Sequence, residues 1–118
     1  MSEGLRPEQR IRKRRFFDLL FDQGQFRRGN LINLWIYQGP EGLEEGAGPK
    51  LGLIVSRKTD LRASRRNLWK RRLREVFRKN QKILSRDAAV LIQSHKRSRV
   101  PAYFEIEQEF LKLSKKTS

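Results

Sequence analysis

Apolar residues recur along this chain at two periods. Trp69, Leu73, Val76 and Phe77 stand at i, i+4, i+7 and i+8, one stripe down a helix. At about 100° per residue, Asn67, Lys70, Arg71, Arg74 and Arg78 fall on the opposite side. This predicts an amphipathic helix capped by Ser64 and stopped at Asn80. Tyr103, Ile106, Phe110 and Leu113 form a second stripe, a structural helix with Pro101 as its first residue. A shorter helix is predicted in IRKRRFFDLLFDQG, where Ile11, Phe17, Leu20 and Phe21 are the apolar positions and Gly24 the stop.

Elsewhere the period falls to two or the apolar run is unbroken. In LINLWIYQ, Leu31 to Gln38, Ile32, Leu34 and Ile36 alternate with Asn33, Trp35 and Tyr37. That is a strand with one set of side chains under helices and the Trp35 set left partly open. LGLIVS, Leu51 to Ser56, is a second strand, and AAVLIQ, Ala88 to Gln93, is a third, buried on both faces. Phe26 to Gly29 reads as a turn-like connector. GPEGLEEGAGP, residues 39–49, reads as a mobile acidic hairpin loop pointing away from any anionic partner. Residues 1–9 read as a disordered lead, 10–113 as one domain and 114–118 as a frayed tail. Strand, helix and strand in succession imply a βαβ unit, right-handed by the general rule.

Charge alters the picture of the central helix. With 28 Lys and Arg against 13 Asp and Glu, the chain carries a formal +15. Residues 57–79 hold eleven of those cations and only two acids, Asp60 and Glu75. Such a face repels itself until a polyanion arrives, so nucleic acid is the expected partner. Anionic membrane fits poorly, because the apolar stripe is narrow and no second lipid anchor is evident. Partly open aromatic rings beside cations are what a sheet uses to stack unpaired bases; completion of the core is the equally weighted alternative for Trp35 and Tyr37.

Catalytic chemistry is hard to find in the side chains. The one histidine, His95, has no metal-ligand spacing around it and is expected in a solvent-facing or phosphate-touching loop. There is no GxxxxGK[ST] loop, Asp18, Asp22, Asp60 and Asp87 are scattered with no close pair to suggest a two-metal centre, and a serine triad has little support. Without cysteine there is neither a disulfide nor a thiolate metal site, which suits a cytoplasmic protein. The N-terminus lacks a signal-like apolar core.

The stretches LGLIVSRK (51–58) and ASRRNLWKRRLREVF (63–77) together resemble the protein subunit of bacterial ribonuclease P. The family pattern is a strand ending V-S-[KR]-K, then A-x-x-R-N-x-x-K-R-x-x-R-E on a helix. Arg66, Asn67, Lys70, Arg71, Arg74 and Glu75 match it here, and RIRKRRFFDLLFDQGQFRRG resembles the family's opening helix and turn. This chain departs at Thr59-Asp60-Leu61-Arg62, where the family usually has a glycine.

The resemblance implies an α/β (α+β two-layer) fold, ribosomal protein S5 domain 2-like, with three helices on a mixed sheet of about four strands. It also implies a left-handed βαβ crossover, against the general rule. It implies a subunit of an endoribonuclease holoenzyme in which a large RNA, using Mg2+ that the RNA mainly holds, removes the 5′ leader of precursor tRNA. Arg57, Lys58, Arg66, Asn67, Lys70, Arg71, Arg74 and Arg78 would then meet the catalytic RNA and the cleavage-site region. Arg12, Phe17, Phe21 and Trp35 would line a cleft for the single-stranded leader. No obligate protein partner is expected. The main competing reading is a ribosomal-type structured-RNA-binding protein with no role in cleavage; a protein-only nuclease is the other.

Overall fold

A computed structural model describes residues 10–11, 14–38, 49–84 and 88–115. Arg12, the lead at 1–9 and positions 39–48 of the acidic loop lie outside the described residues. The elements run α1 (Arg14–Gln23), β1 (Gln25–Arg28), β2 (Ile32–Tyr37), β3 (Lys50–Ile54), α2 (Ala63–Asn80), a 3-10 turn (Gln81–Ile83), β4 (Ala89–Ser94) and α3 (Tyr103–Lys115). The four strands form one mixed sheet in the order β1-β2-β4-β3, as expected of an α+β fold.

β1 and β2 pair antiparallel, as do β2 and β4, whereas β3 and β4 are parallel. The β3–α2–β4 connection is therefore the expected βαβ unit. On one face, Ile32, Leu34, Leu51, Val90 and Ile92 meet Trp69, Leu73, Val76 and Phe77 of α2 and Ile106, Phe110 and Leu113 of α3. On the other, α1 sets Leu20 against Ala89 and Leu91, with Ile11 beside them. β4 is thus covered on both sides, which explains its unbroken apolar run.

Five local expectations are corrected. α1 starts at Arg14: Ile11 is extended, its N–H donating to Leu51 O at 2.8 Å, and Arg10 bridges Leu51 in parallel beside β3. Residues 10–11 thus cover the outer edge of β3 rather than opening a helix. Phe26 belongs to the edge strand β1, not to a turn, because the ladder to β2 supplies its backbone partners.

Ser64 lies inside α2, whose N-cap is Arg62; Asp60 meets the approach instead, Oδ1 accepting from Arg62 N at 2.9 Å. Pro101 precedes the first turn of α3 and is buried there. His95 lies in a loop but is only partly solvent-facing: its Nε2 lies 2.8 Å from Asn33 Oδ1 in a part-buried contact. Asn33 Nδ2 donates to Gln93 and its Oδ1 accepts from Gly29 N, so the ring must donate from Nε2.

Candidate nucleic-acid interface

Two groups of side chains make up the candidate interface, the rings around α1 and the cations of α2. α1 crosses the strands obliquely to their ladder, so its successive turns lie over different strands. Phe17 rests over β3, where a Cβ on Gly52 would come 3.1 Å from Phe17 Cε1; the bare glycine makes room for the ring. One turn later, Phe21 meets Trp35 on β2 edge-on, ring centroids 4.8 Å apart and planes at 86°. Gly24 lets the helix end close against that strand, since a Cβ there would overlap Leu20 O and stand 3.3 Å from Trp35 Cβ.

The third ring is Phe26. It is paired directly with Trp35 across the β1–β2 ladder, and its centroid lies 4.8 Å from the indole at 47°. Phe21 is 44% exposed and Phe26 49% exposed, while Trp35 between them is half-buried. The three rings form a platform with an accessible rim. Sequence reasoning placed Phe21 and Trp35 together correctly and missed Phe26. A four-residue strand, QFRR, with one apolar position has no period to read, though a ring that would face Trp35 was the available clue.

The cations of α2 sort into two populations. Arg65, Arg66 and Arg72 are committed to the protein's own backbone. Arg66 Nη1 donates to Asp60 O and Leu61 O at 3.0 Å each. Arg72 Nη1 donates to Val100 O at 3.3 Å and Pro101 O at 2.5 Å, and Arg65 Nη1 to Ser98 O at 3.2 Å. Arg78 is engaged with Glu75 through Nε at 2.6 Å and Nη2 at 3.2 Å. That contact holds the Glu75 carboxyl below its ordinary value, the Arg78 hydrogen bond being the largest cause.

Arg57, Lys58, Asn67 and Arg71 are exposed, and Lys70 and Arg74 half-buried; none of the six has a side-chain hydrogen bond or ion pair among the described residues. Arg74 is held below the ordinary guanidinium value, first by partial burial and then by the charge of Arg10. That proximity matters for the shape of the field. Arg10, paired beside the outer edge of β3, thus adds a cation near the one at Arg74 of α2. The predicted RNA-binding set is therefore brought together on one helix and the turn before it, with Arg66 and Arg78 serving partly as struts.

Among the described residues, no three His, Cys, Asp or Glu side chains gather to hold a metal ion, and no helix is long and apolar enough to cross a membrane. The rings and the cations are what the surface offers.

Residues 5–118 match the Ribonuclease P family. The chain belongs to the ribonuclease P protein family. It is 39% identical over 69 residues to the ribonuclease P protein component of a Synechococcus species, covering 58% of this chain and 51% of that protein. With the component from Thermotoga maritima it shares 30% identity over 97 residues, 82% of this chain and 78% of that one. The match thus spans about half of the first relative and most of the second.

Solved structures agree on the fold. The Staphylococcus aureus RNase P protein superposes with a TM-score of 0.74 at 18% identity, covering 89% of this chain and 91% of that one. The Thermotoga maritima RNase P protein gives 0.71 at 24%, covering 92% and 98%.

Proposed function

We propose that this chain is the protein subunit of a cytoplasmic ribonuclease P holoenzyme, assisting removal of the 5′ leader from precursor tRNA. In this reading the uncommitted cations, Arg57, Lys58, Lys70, Arg71 and Arg74, contact the catalytic RNA and the phosphates near the cleavage site, with Asn67 among them. The leader lies along α1 and stacks on the ring platform. The observation that carries the proposal is the conjunction of an open ring triad, Phe21–Trp35–Phe26, on one face of the sheet with a row of uncommitted cations on α2 and the turn before it.

The physical contribution is positional and electrostatic. Cations displace counterions condensed on the phosphates, so affinity falls with salt at a log–log slope of about −0.7 per single-strand phosphate contact. Stacking adds roughly 1–3 kcal/mol per base and tolerates any base, because every base has a π-face. That tolerance suits a subunit serving many leaders. Mature tRNA has no leader and forfeits the stacking, so precursor is bound in preference to product. In this reading the Mg2+ of the reaction is held mainly by the RNA.

A leader-length series tests this. Affinity of the holoenzyme for precursor tRNA should rise as the 5′ extension grows across the platform and then level off. Equal affinity at all lengths, with no stimulation of cleavage by the protein at low Mg2+, would favour the structured-RNA-binding alternative.

A further inference from the structure

β1 carries one ring of the platform but has little of its own to hold it in place. It is four residues long, lies at the edge of the sheet and has one ladder neighbour, β2. With a single apolar residue in QFRR, its register is weakly specified from within. Phe26 belongs to neither buried cluster and stands half open, so its place against Trp35 depends on where the strand lies.

The strand is fixed from the far side of the sheet. α3 packs on the face opposite the rings, and from its middle Glu109 reaches the β1–β2 connection. Glu109 Oε2 accepts from Leu31 N at 2.6 Å and from Ile32 N at 2.8 Å. A carboxylate on backbone N–H groups makes stronger hydrogen bonds than a neutral acceptor does. Gly29 leaves room for this approach, since a Cβ there would overlap Glu109 Oε2.

Two residues earlier, Arg27 is paired with the core residue Leu34 and so points to the same side. Its Nη1 donates to Leu113 O at 2.5 Å and to Ser114 O at 3.2 Å, in the last turn of α3. α3 thus grips the β1–β2 hairpin at two points. The carbonyls of the connection are taken up by the loop after β4, His95 N donating to Leu31 O at 2.9 Å and Arg97 Nη2 to Asn30 O. Glu109 serves its N–H groups.

We propose that Glu109 is a positioning residue for leader binding: through the thickness of the sheet it fixes the hairpin so that Phe26 stays packed on Trp35. This rests on the reading that the rings stack the leader, and adds to it a residue that does not itself meet RNA. Rings already in place spare the complex the cost of ordering them when the leader arrives.

Glu109→Ala, which removes both bonds, is read in two ways. In the free protein, nuclear Overhauser contacts between the Phe26 ring and the Trp35 indole should weaken or vanish. Those between Phe21 and Trp35 should persist, because α1 is untouched. In the holoenzyme, KM for precursor tRNA with a long leader should rise by about three- to tenfold, part of what one stacked base contributes, with kcat unchanged. Affinities for RNase P RNA and for leaderless tRNA should keep their wild-type values, whereas a general loss of fold would lower both. In a Phe26→Ala background Glu109→Ala should add nothing to KM, since the two act through one ring. Glu109→Gln keeps an acceptor oxygen at the same reach and should recover most of both readouts. Glu109→Asp keeps the charge but withdraws the oxygens by one methylene; it should fail as the alanine variant does, more mildly, and stands in if that variant does not fold.

Undisturbed Phe26–Trp35 contacts in Glu109→Ala and Glu109→Asp, or no recovery in Glu109→Gln, would overturn the proposal. So would lost contacts with an unchanged KM, and Phe26→Ala alone then tells what has failed. If it too leaves KM unchanged, the rings do not stack the leader and the functional reading falls as well. If it raises KM, that reading stands and Glu109 has no part in it.

Discussion

On the α2–α3 side of the sheet, Trp69, Phe77 and Phe110 are 1%, 0% and 0% exposed, whereas on the α1 side Phe21 and Phe26 stand 44% and 49% open. Coverage explains the difference. A six-residue strand is about 20 Å long, and a helix with its side chains is about 10–12 Å across. Two helices side by side can seal such a face, but one helix laid across the strands leaves part of their length bare. The same residue type therefore does opposite work on the two faces. Rings under two helices hold the fold together, and rings at the margin of one helix remain open to solvent.

The largest expected effect lies on the sealed face. Trp69→Ala should cost about 3–5 kcal/mol of stability, because a fully enclosed ring leaves a cavity that its neighbours cannot fill. Phe26→Ala should cost far less, since half of that ring already faces water. Equal losses of thermal stability from the two substitutions would break the comparison.

The second effect should appear only in RNA binding. Phe21→Ala and Phe26→Ala should each remove up to about 1–3 kcal/mol from affinity for precursor tRNA with a long leader. Neither should change affinity for leaderless tRNA. Trp35→Ala should affect both stability and leader affinity, because the indole is half-buried between the two exposed rings. Leader-independent losses would identify the platform as structural.

A third, smaller effect concerns the uncommitted cations. Lys70→Ala/Arg71→Ala should raise the Mg2+ needed for half-maximal cleavage by a few-fold, on the order expected when two charges near a scissile phosphate are removed. Arg72→Ala should instead lower thermal stability, because its guanidinium clasps the Val100 and Pro101 carbonyls. An unchanged Mg2+ titration in the double variant would detach Lys70 and Arg71 from the cleavage site.

Which cations are free and which are struts was not legible in the sequence. Helical periodicity gave the buried stripe of α2 correctly, because burial obeys the period of the helix. It placed Arg78 on the outer face but said nothing of Glu75, three residues away, closing on it. The partners of Arg65 and Arg72 come from the loop after β4, 28 to 33 residues distant, and local pattern has no access to such contacts. β1 and the extended pairing of Arg10 and Ile11 escaped for a related reason. Both are short edges that exist because a neighbouring strand offers unpaired backbone groups, and neither has internal periodicity. The ring platform was half visible: alternation in LINLWIYQ put Trp35 on the thinner face, while its contact with Phe26 depended on a strand too short to recognise.

The smallest effect tests how the sealed face is fastened at its seam. Tyr103 at the start of α3 donates from Oη to Glu107 Oε2 at 2.8 Å, and Asn80 at the end of α2 donates to the same oxygen at 2.8 Å. Burial, followed by the Glu107 hydrogen bond and charge, pushes the Tyr103 hydroxyl up from an ordinary value of 10.0 to about 12. A raised value in the folded state means that the protonated phenol is the stabilising form. Its contribution is complete below pH 10 and is lost as pH rises toward 12. Tyr103→Phe should cost about 1 kcal/mol at neutral pH by deleting that hydrogen bond. The difference in unfolding free energy between wild type and variant, measured by denaturant titration, should then shrink across pH 10–12. Lysine deprotonation elsewhere affects both proteins and cancels in the difference, and Lys79, whose Nζ lies 5.3 Å from the Tyr103 ring centroid, is replaced by glutamine in both. A gap that stays constant through that range would mean the phenol's bond to Glu107 adds nothing to this seam, leaving Asn80 and the apolar stripes to close the face.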